Sequence, residues 1–210
     1  MSIPQWLDWA QRLQSIAQSG LSYDPSVFDR QRYEQIAAIA AEMMARGGDG
    51  AVDQVYALFD QQVGHATPKV DVRGVVFREG KVLLVQEKLD GNRWTVPGGW
   101  ADIGESAGES VTREVREEAG YQVRPVRLLA AYDRNKHNHP PHAFHVYKLF
   151  FLCELTAEER EIDPGNFETA GVAFFPADAL PELSTGRVTA EQIARFWHLA
   201  QHPELPTDFD

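Results

Sequence analysis

Thiols are nearly missing from this chain: Cys153 is the one cysteine among 210 residues, which excludes an internal disulfide. Its setting in the apolar run YKLFFLCEL reads as a buried strand position and not as a reactive thiol. Long hydrophobic runs are missing too. No stretch approaches the roughly eighteen apolar residues of a membrane-spanning helix. The start, MSIPQWLDWAQRLQ, lacks the basic end, apolar middle and small-residue cleavage site of a secretory signal, so the expected location is the cytoplasm. Basic charge is scarce: 20 Lys and Arg stand against 31 Asp and Glu, a net charge of −11. That surface repels phosphate backbones and provides no stripe for duplex nucleic acid, so no DNA partner is expected. A phosphate-bearing ligand is expected to arrive with a metal ion. No internal repeat or low-complexity segment is visible.

Apolar residues are plentiful, at 43%, enough for a core in a standard domain joined to a smaller one. Residues 1 to 64 carry helical periodicity. Ser2-Ile3-Pro4-Gln5 has the form of a capping box with proline at an early helical position, and Leu7, Ala10, Leu13 and Ala17 recur until Gly20. After Ser22-Tyr23-Asp24-Pro25, a second stripe (Tyr33, Ile36, Ala40, Met43, Met44) runs to Gly47-Gly48, and Val52, Val55, Tyr56, Phe59 and Val63 make a third. About sixty helical residues make a thin module. It is expected to pack on the rest of the chain or on a second copy, and a homodimer through these helices is the expectation. Few basic residues accompany it, which weighs against a membrane-surface role.

From about residue 69 the pattern alternates. Val70, Val72, Gly74 and Val76, the turn Glu79-Gly80 and Val82 to Val85 predict a β-hairpin. Trp94 to Pro97 predicts a short strand, Ala107 to Ala119 a helix, and Val123 to Tyr132, His145 to Leu155 and Phe167 to Phe175 further strands. Thr189-Ala190-Glu191-Gln192 opens a last helix with a capping box. The expected fold class is α/β, preceded by a small all-helical domain: 1–66 helical, 67–205 the α/β domain, 206–210 a tail.

Between Gly99 and Tyr121 six carboxylates crowd two arginines. Ser106 and Glu109 form a capping box, and Gly120 is the C-terminal stop. At about 100° per residue, Glu114, Glu117 and Glu118 fall within one arc, while Val111, Val115, Ala107 and Ala119 form the stripe that pins the helix to the sheet. Two carboxylates about 6 Å apart repel by roughly 3 kcal/mol at an effective dielectric near 20, so something must offset the crowding. A solvated helix face is one answer. A site for hard divalent cations, which take oxygen ligands, is the other.

The residues alone leave both open, and a family resemblance in the surrounding sequence favours the second. Glycine, five residues, Glu105, seven residues and Arg113-Glu114-Val115-Arg116-Glu117-Glu118-Ala119-Gly120-Tyr121 resembles the Nudix hydrolase box at every defined position, and Trp94-Thr95-Val96-Pro97-Gly98-Gly99 looks like the strand that leads into it. The resemblance implies a Nudix α/β/α sandwich with a mixed sheet. It also implies Mg²⁺- or Mn²⁺-dependent pyrophosphohydrolase activity on a nucleoside diphosphate linked to another group. Carried over by position, Glu114, Glu117 and Glu118 with the carbonyl of Gly98 would hold metal, Glu105 and Arg113 would form a structural ion pair that orients the loop, and Gly99 and Gly120 would serve the backbone. The general base would come from the box helix or from Glu168, whose other reading is a strand-edge carboxylate.

The start W-L-x-W-A-x-R-L-Q and the stretches Asp133 to Pro141 and Leu183 to Arg187 resemble a Nudix subgroup with a helical N-terminal region, associated with CDP-choline and ADP-ribose. A proline some fifteen residues past the box, found in ADP-ribose-type members, is missing here; the chain reads Asn135-Lys136-His137, which lowers ADP-ribose relative to CDP-alcohols. Arg134, Lys136 and His137 are binding candidates for phosphate or the group beyond it, and Trp100 for stacking on a base. The stretch DRNKHNHPPHAFH also raises zinc by its histidine density. Two other functions compete: a nucleoside triphosphate pyrophosphohydrolase, and a non-catalytic nucleotide-binding regulator. The regulator needs a basic DNA-reading head, yet residues 1–66 hold four Arg against eight Asp and Glu, a net of −4.

Overall fold

The computed structural model describes residues 3–48, 51–157, 160–161 and 168–210. Two compact units emerge: Met1–Lys69 with Pro141–His145, and Val70–Pro140 with Val146–Asp210. Ser2 of the expected capping box and Phe167, the expected start of the strand to Phe175, lie outside the described residues.

The first unit contains α1 (Gln5–Ser22), α2 (Val27–Gly47) and α3 (Val52–Asp60). Pro4 occupies the cap position of α1 and no side chain caps it. Gly20 does not stop this helix. A Cβ there would collide with the ring of Tyr33 in α2, so the glycine admits the aromatic ring, and Gly47 likewise makes room for Trp6. Leu7, Ala10, Ala40, Ala41, Met44 and Phe59 form the core of the unit.

The second unit is built on two sheets. One has the order β5-β1-β7-β6-β9, from β1 (Lys69–Val75), β5 (Gly98–Trp100), β6 (Val123–Asp133), β7 (Val146–Leu155) and β9 (Asp208–Phe209). The other joins β2 (Phe77–Arg78), β3 (Lys81–Glu87) and β4 (Arg93–Thr95), with β8 (Thr169–Pro176) also on β3. The expected hairpin is thereby corrected: β3 pairs with the two-residue β2, while β1 leaves for the other sheet and pairs with β5. The switch falls at Val76, whose carbonyl still accepts from Leu83 N–H. The expected tail, 206–210, includes β9, which pairs parallel with β6 and makes that sheet mixed.

Alternation along β3 fixes the layers. Val82 and Leu84 enter one core with Phe150, Ile193, Phe196 and Leu199, the last three from α5 (Ala190–Gln201). Leu83 and Val85 enter the other with Val111, Val115 and Ala119 of the box helix. Period-two side chains on a strand face opposite ways, so the helices cover opposite faces, an α/β/α sandwich. Cys153 lies in the second core, and burial pushes its thiol up to about 12. No described helix is long and apolar enough to cross a membrane.

Candidate active site

Ser106 caps α4 (Ala107–Glu114) through the full reciprocal box with Glu109. The regular α-helix expected to Ala119 ends early. Val115–Ala119 makes a π-helical turn, closed by Gly120 at φ +72. Such wider turns often occur at functional sites. Here the turn keeps Val115 and Ala119 in the core and sets the three carboxylates at different depths: Glu117 exposed, Glu114 partly buried and Glu118 8% exposed.

Two glycines hold these carboxylates against the sheet. Gly98 has φ +140, and a Cβ there would meet the carbonyl of Val72. Its N–H donates to Glu118 Oε2 at 2.9 Å. At Gly99 a Cβ would press on the Glu114 carboxylate at 3.1 Å. Burial raises the Glu118 carboxyl to about 8 against the pull of Arg73 and the Gly98 amide, and burial also raises Glu114 against its bond to Arg113.

Arg113 does pair with Glu105, at 3.1 Å, yet it does more than orient the loop. It also reaches Asp102, and its Nη1 donates to Glu114 at 2.9 Å and to Glu117 at 3.0 Å. One guanidinium therefore gathers two of the three expected metal carboxylates. Among the described residues, no three His, Cys, Asp or Glu side chains converge as a formed metal cage. In the histidine-rich loop, His139 Nδ1 lies 2.7 Å from the Thr185 carbonyl and His142 Nδ1 3.2 Å from the Phe144 carbonyl.

The other expected residues are spread out. Glu168 is exposed at the edge of β8, with its carbonyl accepting from Lys88 N–H. Trp100 is half-exposed, across from Asp71. Lys136 is exposed, while His137 packs on Tyr132 and pairs with Asp210 at 3.2 Å. Arg134 is buried and donates to the carbonyls of Pro140 and Gly186.

Sequence reasoning missed a charged group inside the sheet. Arg73 grips both oxygens of Asp71, at 2.9 and 2.7 Å, and Lys148 Nζ donates to Asp71 Oδ1 at 2.8 Å. All three are buried. Burial alone would raise the Asp71 carboxyl, but Arg73 and Lys148 hold it well below the usual range. Burial lowers Lys148 to about 8 despite Asp71. The signal was present in VDVRGVV: two opposite charges two apart in an apolar strand share one face. Arg187 was missed as well. It bridges Glu87 at 3.2 Å and Asp90 at 3.4 Å from the turn that Ser184 begins.

A helix-borne carboxylate cluster against a glycine strand, in an α/β/α sandwich with a helix on each face, is the arrangement of a phosphoanhydride-cleaving domain. The chain belongs to the Nudix hydrolases: residues 67–196 match the NUDIX domain family, and residues 4–59 match the family described as a UDP-X-like, N-terminal oligomerisation domain. It is a Nudix pyrophosphohydrolase of the subgroup with a helical N-terminus. A putative ADP-ribose pyrophosphatase, YjhB, of Bacillus subtilis (strain 168) is 44% identical over 98% of this chain and 97% of its own. The crystal structure of an ADP-ribose pyrophosphatase from Streptococcus suis 89-1591 matches 69% of this chain and all of its own at 41% identity and a TM-score of 0.61. That of a UDP-X diphosphatase covers both chains fully at 30% identity and a TM-score of 0.62.

Proposed function

We propose that this protein hydrolyses the diphosphate bond of ADP-ribose or a UDP-linked sugar with Mg²⁺ or Mn²⁺, releasing a nucleoside monophosphate and a phosphorylated partner. The observation that carries the reading is the buried, amide-held carboxylate of Glu118 beside Glu114 and Glu117. The donor set fits a hard cation: it offers carboxylate oxygens and the Gly98 carbonyl, and burial raises the Glu118 carboxyl, a penalty that a bound cation would offset. A divalent ion held there would supply charge neutralisation for the diphosphate and a polarised water.

The chain's own residues do the rest. Gly98 and Gly99 bring the strand close enough for the amide to aim Glu118 and for Glu114 to lie against the backbone. Arg113 restrains Glu114 and Glu117 in one place and lowers their mutual repulsion. Glu117, the most exposed of the three, is the carboxylate best placed to accept a proton from water, ahead of Glu168. Trp100 offers an exposed ring for a nucleobase. The missing proline lowered ADP-ribose relative to CDP-alcohols, but two relatives above 40% identity are named for ADP-ribose, which supports placing it ahead of CDP-choline.

The helical unit is proposed to form the contact of a homodimer. The family description names oligomerisation, and Tyr23, Val27 and Phe28 leave an apolar patch about 70% exposed around the start of α2.

Phosphorus NMR of products from ADP-ribose, UDP-glucose, CDP-choline and nucleoside triphosphates, with Mg²⁺ or Mn²⁺, tests the reaction. Cleavage to nucleoside monophosphate, lost in Glu117→Gln, is the expected result; release of pyrophosphate from triphosphates alone would overturn the substrate class.

A further inference from the structure

The end of α5 carries a pair of histidines that the hydrolytic reading does not use. His198 and His202 lie four residues apart, at the last turn and the C-cap, the spacing that brings two helical side chains together on one face. Their rings stand 4.5 Å apart, centre to centre, and both residues are exposed. Among the described residues His198 makes no side-chain hydrogen bond or ion pair, so neither of its ring nitrogens is committed.

His202 is committed at one nitrogen only. Its Nδ1 lies 3.1 Å from Glu204 Oε1, and a carboxylate can only accept, so Nδ1 carries the proton and Nε2 keeps a lone pair. A carboxylate behind an imidazole in this way fixes the tautomer and raises the basicity of the nitrogen that faces outward, the usual support of a metal-ligating histidine. The backbone is held as well. Arg127 donates to the carbonyls of Leu199 at 3.0 Å, His202 at 3.4 Å and Leu205, so the turn that bears the second histidine is set before any ion arrives. Arg127 brings a positive charge to that turn and Glu204 a negative one, and the two offset each other.

The ring separation fits one shared ion. With metal–nitrogen bonds of about 2.1 Å and each ring centre roughly 1 Å further out, centres 4.5 Å apart subtend about 90° at the ion. That is the angle between neighbouring positions of a square-planar or octahedral ion, not of a tetrahedral one. Imidazole suits the later transition ions, whereas Mg²⁺ prefers oxygen ligands. Among the described residues no third His, Cys, Asp or Glu converges with the pair, which leaves the other positions to water.

We propose that His198 and His202 form a two-nitrogen chelate for a divalent transition ion of the Ni²⁺ or Cu²⁺ kind, with Glu204 as the positioning carboxylate behind His202. The site is distinct from the box carboxylates, because α5 and the box helix belong to opposite cores. The inference goes beyond the proposed hydrolysis and does not depend on it. An ion held there stabilises the end of α5 by mass action, since the unfolded chain does not hold the two rings together.

The test reads binding and melting. Nickel chloride is titrated by calorimetry, in excess Mg²⁺ to occupy oxygen ligands, into wild type, Glu117→Gln, His198→Ala, His202→Ala and Glu204→Ala, and each is melted with and without Ni²⁺. Wild type and Glu117→Gln are expected to bind the ion alike and to melt higher in its presence. Each histidine variant is expected to bind at least about tenfold more weakly, as the chelate becomes a single imidazole, and Glu204→Ala roughly tenfold more weakly. Both histidines are exposed, so without the ion their variants are expected to melt like wild type. No Ni²⁺ binding by wild type, or unchanged affinity in either histidine variant, would overturn the chelate. Affinity lost in Glu117→Gln would place the ion on the box carboxylates and overturn it equally. Unchanged affinity in Glu204→Ala would overturn the positioning role.

Discussion

Arg73 and Gly98 face each other directly across the β1–β5 ladder, so the residue that grips Asp71 and the residue that holds Glu118 share one rung. No room remains for a side chain at Gly98, where the Val72 carbonyl and the Arg73 backbone already stand. This rung joins the Asp71–Arg73 pair to the backbone that anchors Glu118.

Gly98→Ala should therefore cost both fold and activity. The strained φ and the clash with the neighbouring strand are worth about 2–3 kcal/mol of stability, and displacement of the Glu118 anchor should lower kcat by roughly a hundredfold or more. Melting curves and steady-state kinetics on one preparation check it; a variant with wild-type kcat would show that the amide does not position Glu118.

Stability of the metal-free protein should fall as pH rises from about 4.5 to 8. The folded pKa of Glu118 is raised from 4.5 to about 8, so the folded state holds an extra proton in that window and its advantage is full below the lower value and gone above the upper. Glu118→Gln keeps an acceptor for the Gly98 amide and removes the titration. Its melting temperature should exceed wild type at pH 8, by roughly 2–4 °C for each kcal/mol recovered, and match it at pH 4. Parallel pH profiles for the two proteins would refute the assignment.

Arg113→Ala releases Glu105, Glu114 and Glu117 together. The metal-free variant should be less stable by about 1–2 kcal/mol, a figure kept small because the network is partly exposed. Adding Mg²⁺ should recover much of that loss, because a cation can take over the same carboxylates. Melting with and without Mg²⁺ measures it, and a deficit that ignores the ion would separate Arg113 from the proposed metal site.

Phe28→Glu places a charge in the exposed apolar patch of α2. Far from the core, it should alter monomer stability by no more than about 0.5 kcal/mol. Sedimentation velocity should show the dimer replaced by a monomer of about 24 kDa, the size set by the 23.6 kDa chain. An unchanged dimer would move the interface elsewhere.

Much of this protein was legible along the chain because the interactions involved are local. Capping boxes at Ser106 and Thr189, the apolar stripe Val111-Val115-Ala119 and the alternation of the strands each depend on neighbours within a few residues, and the structure has them all. The resemblance of Gly99 to Tyr121 to the Nudix box, not local periodicity, implied the Glu105–Arg113 pair, which the structure has at 3.1 Å. Pairing between strands is not local. Nothing in the spacing of Val70 to Val85 says that β1 abandons the hairpin at Val76, since that depends on the far partners β5 and β7. The π-turn is a compromise between keeping Val115 and Ala119 in the core and lifting Glu117 to solvent, and only the packed sheet sets its terms. The charges of Asp71, Arg73, Lys148 and Arg134 come from β1, β7 and the turn after β6. Sequence determined which carboxylates gather on the box helix; the tertiary fold alone decided that Arg73 and Lys148 meet at Asp71, because an ion pair across a sheet is made by distance in space.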